Sequence, residues 1–345
     1  VESTLVLLNQ VRAALERYTV LAAPPRDVLE YALDKARTLR LARELGVPAP
    51  RTAHASTLDD LLRAAAELRF PVAVKPRGPA LHPATRHHLG FKVRYVQSRQ
   101  ELERLLRAIA GDPTAVLVQE LARGVGHCVS ALARHGEALS LFAYSRDREV
   151  PHQGGISVVR RSIAMDPRLA AYVRTLLGAI RWHGIAMVEF KYDPDADAYS
   201  LMEINGRFQA SAALSLDAGL NSPHGLACLY TGRPVPHVPP YRVGVRTRWL
   251  RGDMRALYDA ILHRLPGSAS RWRVVADFCR DFRWGMHYDE FTVEDWGPGV
   301  VEAVSLAMGP AIRLGTWIAR ALQSLGPWRR RSTAASTPMH RAIRP

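Results

Sequence analysis

A chain of 345 residues is long enough for two domains, and its 48% hydrophobic and 23% charged residues are an ordinary globular balance that can bury a sizeable core. No apolar run approaches the roughly 18–20 residues that span a bilayer, and three widely spaced cysteines (Cys128, Cys228, Cys279) without a CxxC pair argue against a disulfide framework or a zinc knuckle and fit a reducing cytoplasm. The net charge of +15 would suit nucleic acid, a membrane surface or acidic small molecules, but the arginines are spread through the chain rather than gathered in one stripe, which argues against nucleic acid.

In chain order, residues 3–20 read as a helix broken by "APPRD" (23–27). A second helix, about 27–45, stops at the Gly/Pro signal "GVPAP" (46–50). "STLDDLLRAAAELRF" (56–70) opens on a Ser/Thr cap, and "PVAVKP" (71–76) is a short β-branched strand ending on Lys75. After the loop 77–90 come a strand, "FKVRYV" (91–96), and an amphipathic helix, 98–110, with the capping-box pair Ser98 and Glu101. "AVLVQE" (115–120) and 127–145 read as strands, the latter turning at "RHGE". Beyond the Gly154–Gly155 loop, 166–182 is a helix with Pro167 at its first position. Two strands, "IAMVEF" (185–190) and "YSLMEI" (199–204), then flank a turn containing "DPDAD". Helices alternating with short strands predict α/β or α+β architecture. The proline-rich "GRPVPHVPPYRVG" (232–244) marks a boundary, 308–326 patterns as one amphipathic helix, and 329–345 has the composition of a basic disordered tail.

Glu189 and Glu203 each close an apolar strand, and the connection between them has hairpin length. Antiparallel pairing would bring both carboxylates to one face, with Asn205 beside Glu203 because alternate residues share a face. A single strand-end acid reads as solvent-facing; E-x-N-x-R paired with a second strand-end acid reads as a site. Two carboxylates and an amide oxygen are hard ligands suited to Mg²⁺, which commonly bridges carboxylates to phosphate oxygens, so the set predicts a nucleotide. Lys35 and Lys75 would each read alone as solvated lysines; with the acids they form a pattern.

In order, "LDKARTLRLARELGVPAPRT", "FPVAVKP", "AVLVQELARGVG", "VPHQGGISVVRRS", "HGIAMVEFKYD" and "LMEINGRF" resemble the ATP-grasp superfamily of carboxylate–amine ligases, over about residues 34–230. The resemblance is nearest to carbamoyl-phosphate-synthetase-like members. It implies an α+β fold in which two α/β subdomains clasp ATP, with a mainly helical C-terminal extension. It also implies a division into a remnant of the preceding region (1–33, where "ESTLVLLNQ" resembles the tail of a Rossmann-like domain), the grasp (34–231), the extension (232–328) and the tail (329–345). By resemblance, Lys35 and Lys75 contact ATP phosphates, Gln119, Glu120 and Leu121 form the adenine hinge, and Glu189, Glu203 and Asn205 hold Mg²⁺ (Mn²⁺ is the alternative). Arg207, with Lys75, carries the catalytic role on the transferring phosphoryl group. The implied activity is a cytoplasmic ligase that activates a small carboxylate as an acyl phosphate for attack by an amine. No oligomeric state is implied.

This chain departs from the family in three places. The phosphate loop carries His82, Arg86, His87 and His88 where glycines are usual, the ribose acid is replaced by Gly126, and "GGIS" is followed by two arginines, Arg160 and Arg161, that read either as an anion site or as surface charge. His152 and Gln153 fall in the mobile loop near the acyl phosphate. Two rival readings stand beside the enzyme: a catalytically degenerate nucleotide-binding protein, and a basic protein reaching a membrane surface or RNA through residues 308–331.

Overall fold

The computed structural model describes residues 2–78, 93–109, 113–151, 155–237, 239–262, 270–292, 295–306 and 308. The loop histidines 82, 87 and 88, Arg86, His152, Gln153, the expected helix 308–326 apart from its first residue, and the tail lie outside them. The chain divides into two units, 1–289 and 290–345.

In the first unit, α1 (Glu2–Gln10) and the short α2 (Arg12–Leu15) occupy the first expected helix. The second expected helix is two helices, α3 (Arg26–Leu33) and α4 (Lys35–Glu44), because Asp34 leaves the helical region (φ −105°, ψ 100°) to cap α4. Its carboxylate accepts from the amides of Ala36 and Arg37, which places Lys35 at the first position of α4.

A small antiparallel sheet follows, built from β1 (Thr52–Ala53), β2 (Val72–Pro76), β3 (Arg94–Val96) and β4 (Val116–Glu120) in the order β1-β4-β2-β3. Helices α5 (Leu58–Ala66) and α6 (Arg99–Ala108), capped by Thr57 and Ser98, cover one face. There Val72, Val74, Val116 and Val118 pack with Leu61, Leu102 and Leu106. By strand alternation Ala73, Lys75, Leu117 and Gln119 line the other face.

The large sheet contains β5 (Val125–Arg134), β6 (Glu137–Val150), β7 (Ile156–Ser162), β8 (Gly184–Asp193) and β9 (Ala198–Asn205). The short β10 (Arg246–Arg248) and β11 (Met286–Tyr288) extend it in the order β11-β10-β7-β6-β5-β8-β9. Helices α3, α4 and α7 (Pro167–Ala179) belong to its main apolar cluster, where Leu29, Leu176, Trp182, Phe190 and Leu201 are all buried. On the opposite face α8 (Ala212–Asp217) and the segment after it pack Leu214 and Leu220 against Cys128, Phe142 and Tyr144. Helix α9 (Ser222–Tyr230) precedes the proline-rich stretch.

The sheet does not stop at that stretch. Helix α10 (Leu250–Leu262) and helix α11 (Arg271–Arg280) supply partners for a buried ionic network. Arg148 on β6 binds Asp253 (2.6 Å) and Asp281 (2.7 Å), while Arg248 binds Asp253 (2.7 Å) and sits against the rings of both Phe278 and Phe282, 4.3 Å from each centroid. In the second unit residues 297–306 are helical. Among the described residues no helix is long and apolar enough to cross a membrane.

Candidate functional site

The site is built on β8 and β9, which pair antiparallel with Glu189 directly opposite Glu203. Simple alternation along β9 would send Glu203 and Asn205 to the same face as Tyr199 and Leu201, both of which lie in the apolar core. They do not go there because the register slips: Phe190 pairs with Leu201 and Glu189 with Glu203, leaving Met202 as the extra residue of a bulge. The bulge inverts the parity of the strand, so Ile204 joins Leu201 in the core while Glu203 and Asn205 turn to the opposite face. One inserted residue thus creates the polar face.

Glu203 is held from three directions. Lys35 Nζ lies 3.4 Å from its Oε2, Asn205 Nδ2 donates to its Oε1 at 3.0 Å, and Lys75 adds a further positive charge nearby. Burial alone would raise the pKa of this carboxyl, but Lys35, Asn205 and Lys75 together bring it below the ordinary glutamate range. Arg207 donates to Asn205 Oδ1 at 3.4 Å and to the Phe208 carbonyl at 3.0 Å, and its Nε is buried without a hydrogen-bond partner. Lys75 leaves the small sheet on the face away from its core and donates to Gln119 Oε1 at 2.7 Å. Burial pushes its ammonium down to about 8, with Lys35 adding to the effect and Glu203 and Glu189 opposing it.

Glu189 has a different partner. Arg146 on β6 places Nη1 2.5 Å from Glu189 Oε2 and Nε 2.8 Å from Glu149 Oε1, and donates to the Gly155 carbonyl. Burial pushes Glu189 above the ordinary carboxyl range, aided by Glu203 and Glu149 and opposed by Arg146. Gly126, which the sequence resemblance set at the ribose-acid position as an expectation, explains how Arg146 reaches so far. A Cβ there would meet Arg146 Cδ at 2.8 Å, so the arginine stem occupies the space a side chain on β5 would need. Sequence reasoning missed Arg146 and Glu149 because it ended the strand at Ser145; the signal was the charged run "RDREV" continuing an apolar strand into the Gly-Gly loop.

The remaining expected residues are placed as follows. Gln119 is buried and turned toward Lys75 and Thr52. The Glu120 carboxylate accepts from the Arg69 amide at 2.9 Å, and Leu121 is exposed just past the end of β4. Arg160 is neither surface charge nor a free anion site, since it is 1% exposed and pairs with Asp289. Arg161 points to the other side and pairs with Asp147 at 3.2 Å.

The structure therefore brings Lys35, Lys75, Glu203, Asn205 and Arg207 into one cluster, with Glu189 opposite Glu203. Among the described residues no three His, Cys, Asp or Glu side chains form a metal cluster. The oxygen donors available are those of Glu189, Glu203 and Asn205, a set that fits a hard cation shared with phosphate better than an all-protein cage.

Residues 112–252 match the family model described as ATP-grasp in the biosynthetic pathway with Ter operon. The chain is 25% identical over 215 residues to the carbamoyl phosphate synthase large chain of Pyrococcus furiosus, an overlap of 59% of this chain and 20% of that one. It thus spans about one fifth of the length of such relatives. It is 33% identical over 103 residues to a D-alanine–D-alanine ligase of Pseudomonas entomophila, 29% of each chain. Its fold resembles that of biotin carboxylase from Campylobacter jejuni, solved as a β-γ-ATP complex, with TM-score 0.55, 16% identity and coverage of 69% of this chain and 55% of that one.

Proposed function

Because the chain carries an ATP-grasp domain, homologous to carbamoyl phosphate synthase large chain and D-alanine–D-alanine ligase, we propose that it is an ATP-dependent ligase joining a small carboxylate to an amine through an acyl phosphate. The observation that carries this reading is the convergence of Lys35, Asn205 and Arg207 on and around Glu203, with Glu189 directly across the strand pair.

Lys35 and Lys75 bind and neutralise the ATP phosphates, and the backbone of Glu120 and Leu121 borders the adenine. The substrate carboxylate attacks the γ-phosphorus, ADP leaves, and Arg207 stabilises the charge on the transferring group. The amine lone pair then attacks the acyl carbon and expels phosphate. Such transfer needs positioning and charge neutralisation more than a covalent nucleophile on the protein. Glu189, Glu203 and Asn205 would hold Mg²⁺, which when bound supplies further neutralisation of phosphate charge.

The test is phosphate release from ATP and Mg²⁺ in a screen of amino acids, short peptides and sugar acids, with Glu203→Gln as control. Release that depends on one acid and is lost in the variant supports the ligase; equal release by the variant sinks the metal assignment. The arginine stem over Gly126 favours one rival, a nucleotide-binding chain without turnover. Nucleotide binding with no release for any acid would select it.

A further inference from the structure

A cavity lies outside the cluster described above, between α4, β1 and α5. It measures about 600 Å³, a volume suited to a small molecule. Its floor is apolar, from Leu39, Val47 and Leu117, and its rim carries Arg40, Arg43 and Arg51. Among the described residues no aspartate or glutamate lines it. Among the described residues Arg40 and Arg43 meet no carboxylate at ion-pair distance, while Arg51 is shared with Glu120 of the hinge at 3.7 Å. An apolar floor under unbalanced positive charge is complementary to an organic anion.

Two polar residues of the cavity wall lead directly to the phosphate lysines. Thr52 accepts from Gln119 Nε2 at 2.9 Å, and Gln119 accepts from Lys75 at 2.7 Å. His54 Nε2 lies 3.1 Å from Arg77 Nη1, and Arg77 grips Asp34 at 2.8 and 2.6 Å. Asp34 in turn caps the helix whose first residue is Lys35. Each lysine is therefore one short relay from the cavity, and Gln119 and Asp34 can keep those partners only while the walls hold their positions.

We propose that this cavity is a second ligand site, for a small organic anion with an apolar body, whose occupancy is felt at Lys35 and Lys75. Its carboxylate, sulfonate or phosphate head pairs with Arg40 and Arg43, and its body covers Leu39, Val47 and Leu117. The coupling, though not the binding, rests on the nucleotide reading given above. Two sites joined by relays with fixed end points give reciprocal effects on affinity.

The probe is 1-anilinonaphthalene-8-sulfonate, an aromatic sulfonate of this description, titrated by fluorescence into the full chain. Saturable binding of one equivalent, retained at saturating MgATP, is expected. In Arg40→Ala/Arg43→Ala it weakens about tenfold for each charge-assisted contact removed, with an unchanged circular dichroism spectrum. Ala64→Trp, on the exposed wall, abolishes binding without touching the arginines. Absence of saturable binding, equal affinity in both variants, or displacement of the dye by ATP overturns the site. ATP affinity is then measured with and without dye, where a severalfold shift that is lost in Thr52→Val is expected. A chain that fails to bind ATP overturns the nucleotide reading while the dye titration still decides the cavity; ATP affinity that ignores the dye overturns the coupling.

Discussion

The Arg146 guanidinium lies 2.5 Å from the carboxylate of Glu189, and the path to that contact crosses the bare Cα of Gly126. A buried arginine thus answers two acids, Glu189 and Glu149, on the face where nucleotide is proposed to bind. Arg146→Met leaves both carboxylates buried without their partner, and a loss of about 3–5 kcal/mol is expected in urea unfolding. Gly126→Ala forces the arginine stem aside and is expected to cost about 1–3 kcal/mol. Equal stability of both variants with the parent would show that the arginine is free to leave.

Lys75 sets a pH limit. Its ammonium is brought by burial from its ordinary 10.5 to about 8, so the folded chain gives up this proton before the unfolded chain does. Between about 8 and 10.5 the unfolded state holds more protons, and this group's contribution to stability rises with pH across that window. The proposed nucleotide binding would run the other way, because phosphate would need the charged form. ADP affinity measured by calorimetry is expected to weaken by up to about tenfold per pH unit above 8. Lys75→Arg, charged throughout, flattens that dependence; a parent profile as flat as the variant's would remove Lys75 from the phosphate site.

Asp34 performs two tasks with one carboxylate, capping α4 and gripping Arg77. Burial would raise its pKa, but Arg77 and the capped amides hold it below the ordinary aspartate range. Asp34→Ala is expected to cost about 1–2 kcal/mol from the lost cap. Since Lys35 begins that helix, nucleotide affinity falls as well, by more than in Thr57→Ala, which uncaps a helix remote from the lysines. Comparing the two by thermal melting and ADP titration checks it.

Asp253 is fully buried between Arg148 and Arg248. Asp253→Ala strands part of two positive charges in the interior, and about 3–5 kcal/mol of stability is expected to go with it, read as a lower urea midpoint at unchanged slope.

Much of this arrangement was legible in the sequence. Lys75, Glu189 and Glu203 are charges set into otherwise β-branched or apolar strands, and such a charge is visible in the sequence alone. What escaped was decided by pairing partners. The Met202 bulge exists only relative to β8, so nothing within "YSLMEIN" announces it, yet it alone turns Glu203 away from the core. Asp34 interrupts what periodicity reads as one helix, because the apolar spacing of α3 runs on into α4 and only the capping geometry divides them. Arg160 read as either an anion site or surface charge since its partner, Asp289, lies 129 residues away. Strands β10 and β11 are three residues each and carry no strand signal of their own; they form because β7 offers β10 an edge and β10 offers one to β11.

That last edge bears on how this protein could acquire a new substrate. A domain that ended at the proline-rich stretch could be spliced onto foreign C-terminal segments and inherit their specificity whole. Here the graft would fail, since the transplanted piece would have to donate a strand to β7, an acid to Arg160 and two acids to Arg148. Diversification of this chain is therefore expected to proceed by point changes and loop insertions within a fixed frame, not by exchange of its C-terminal third.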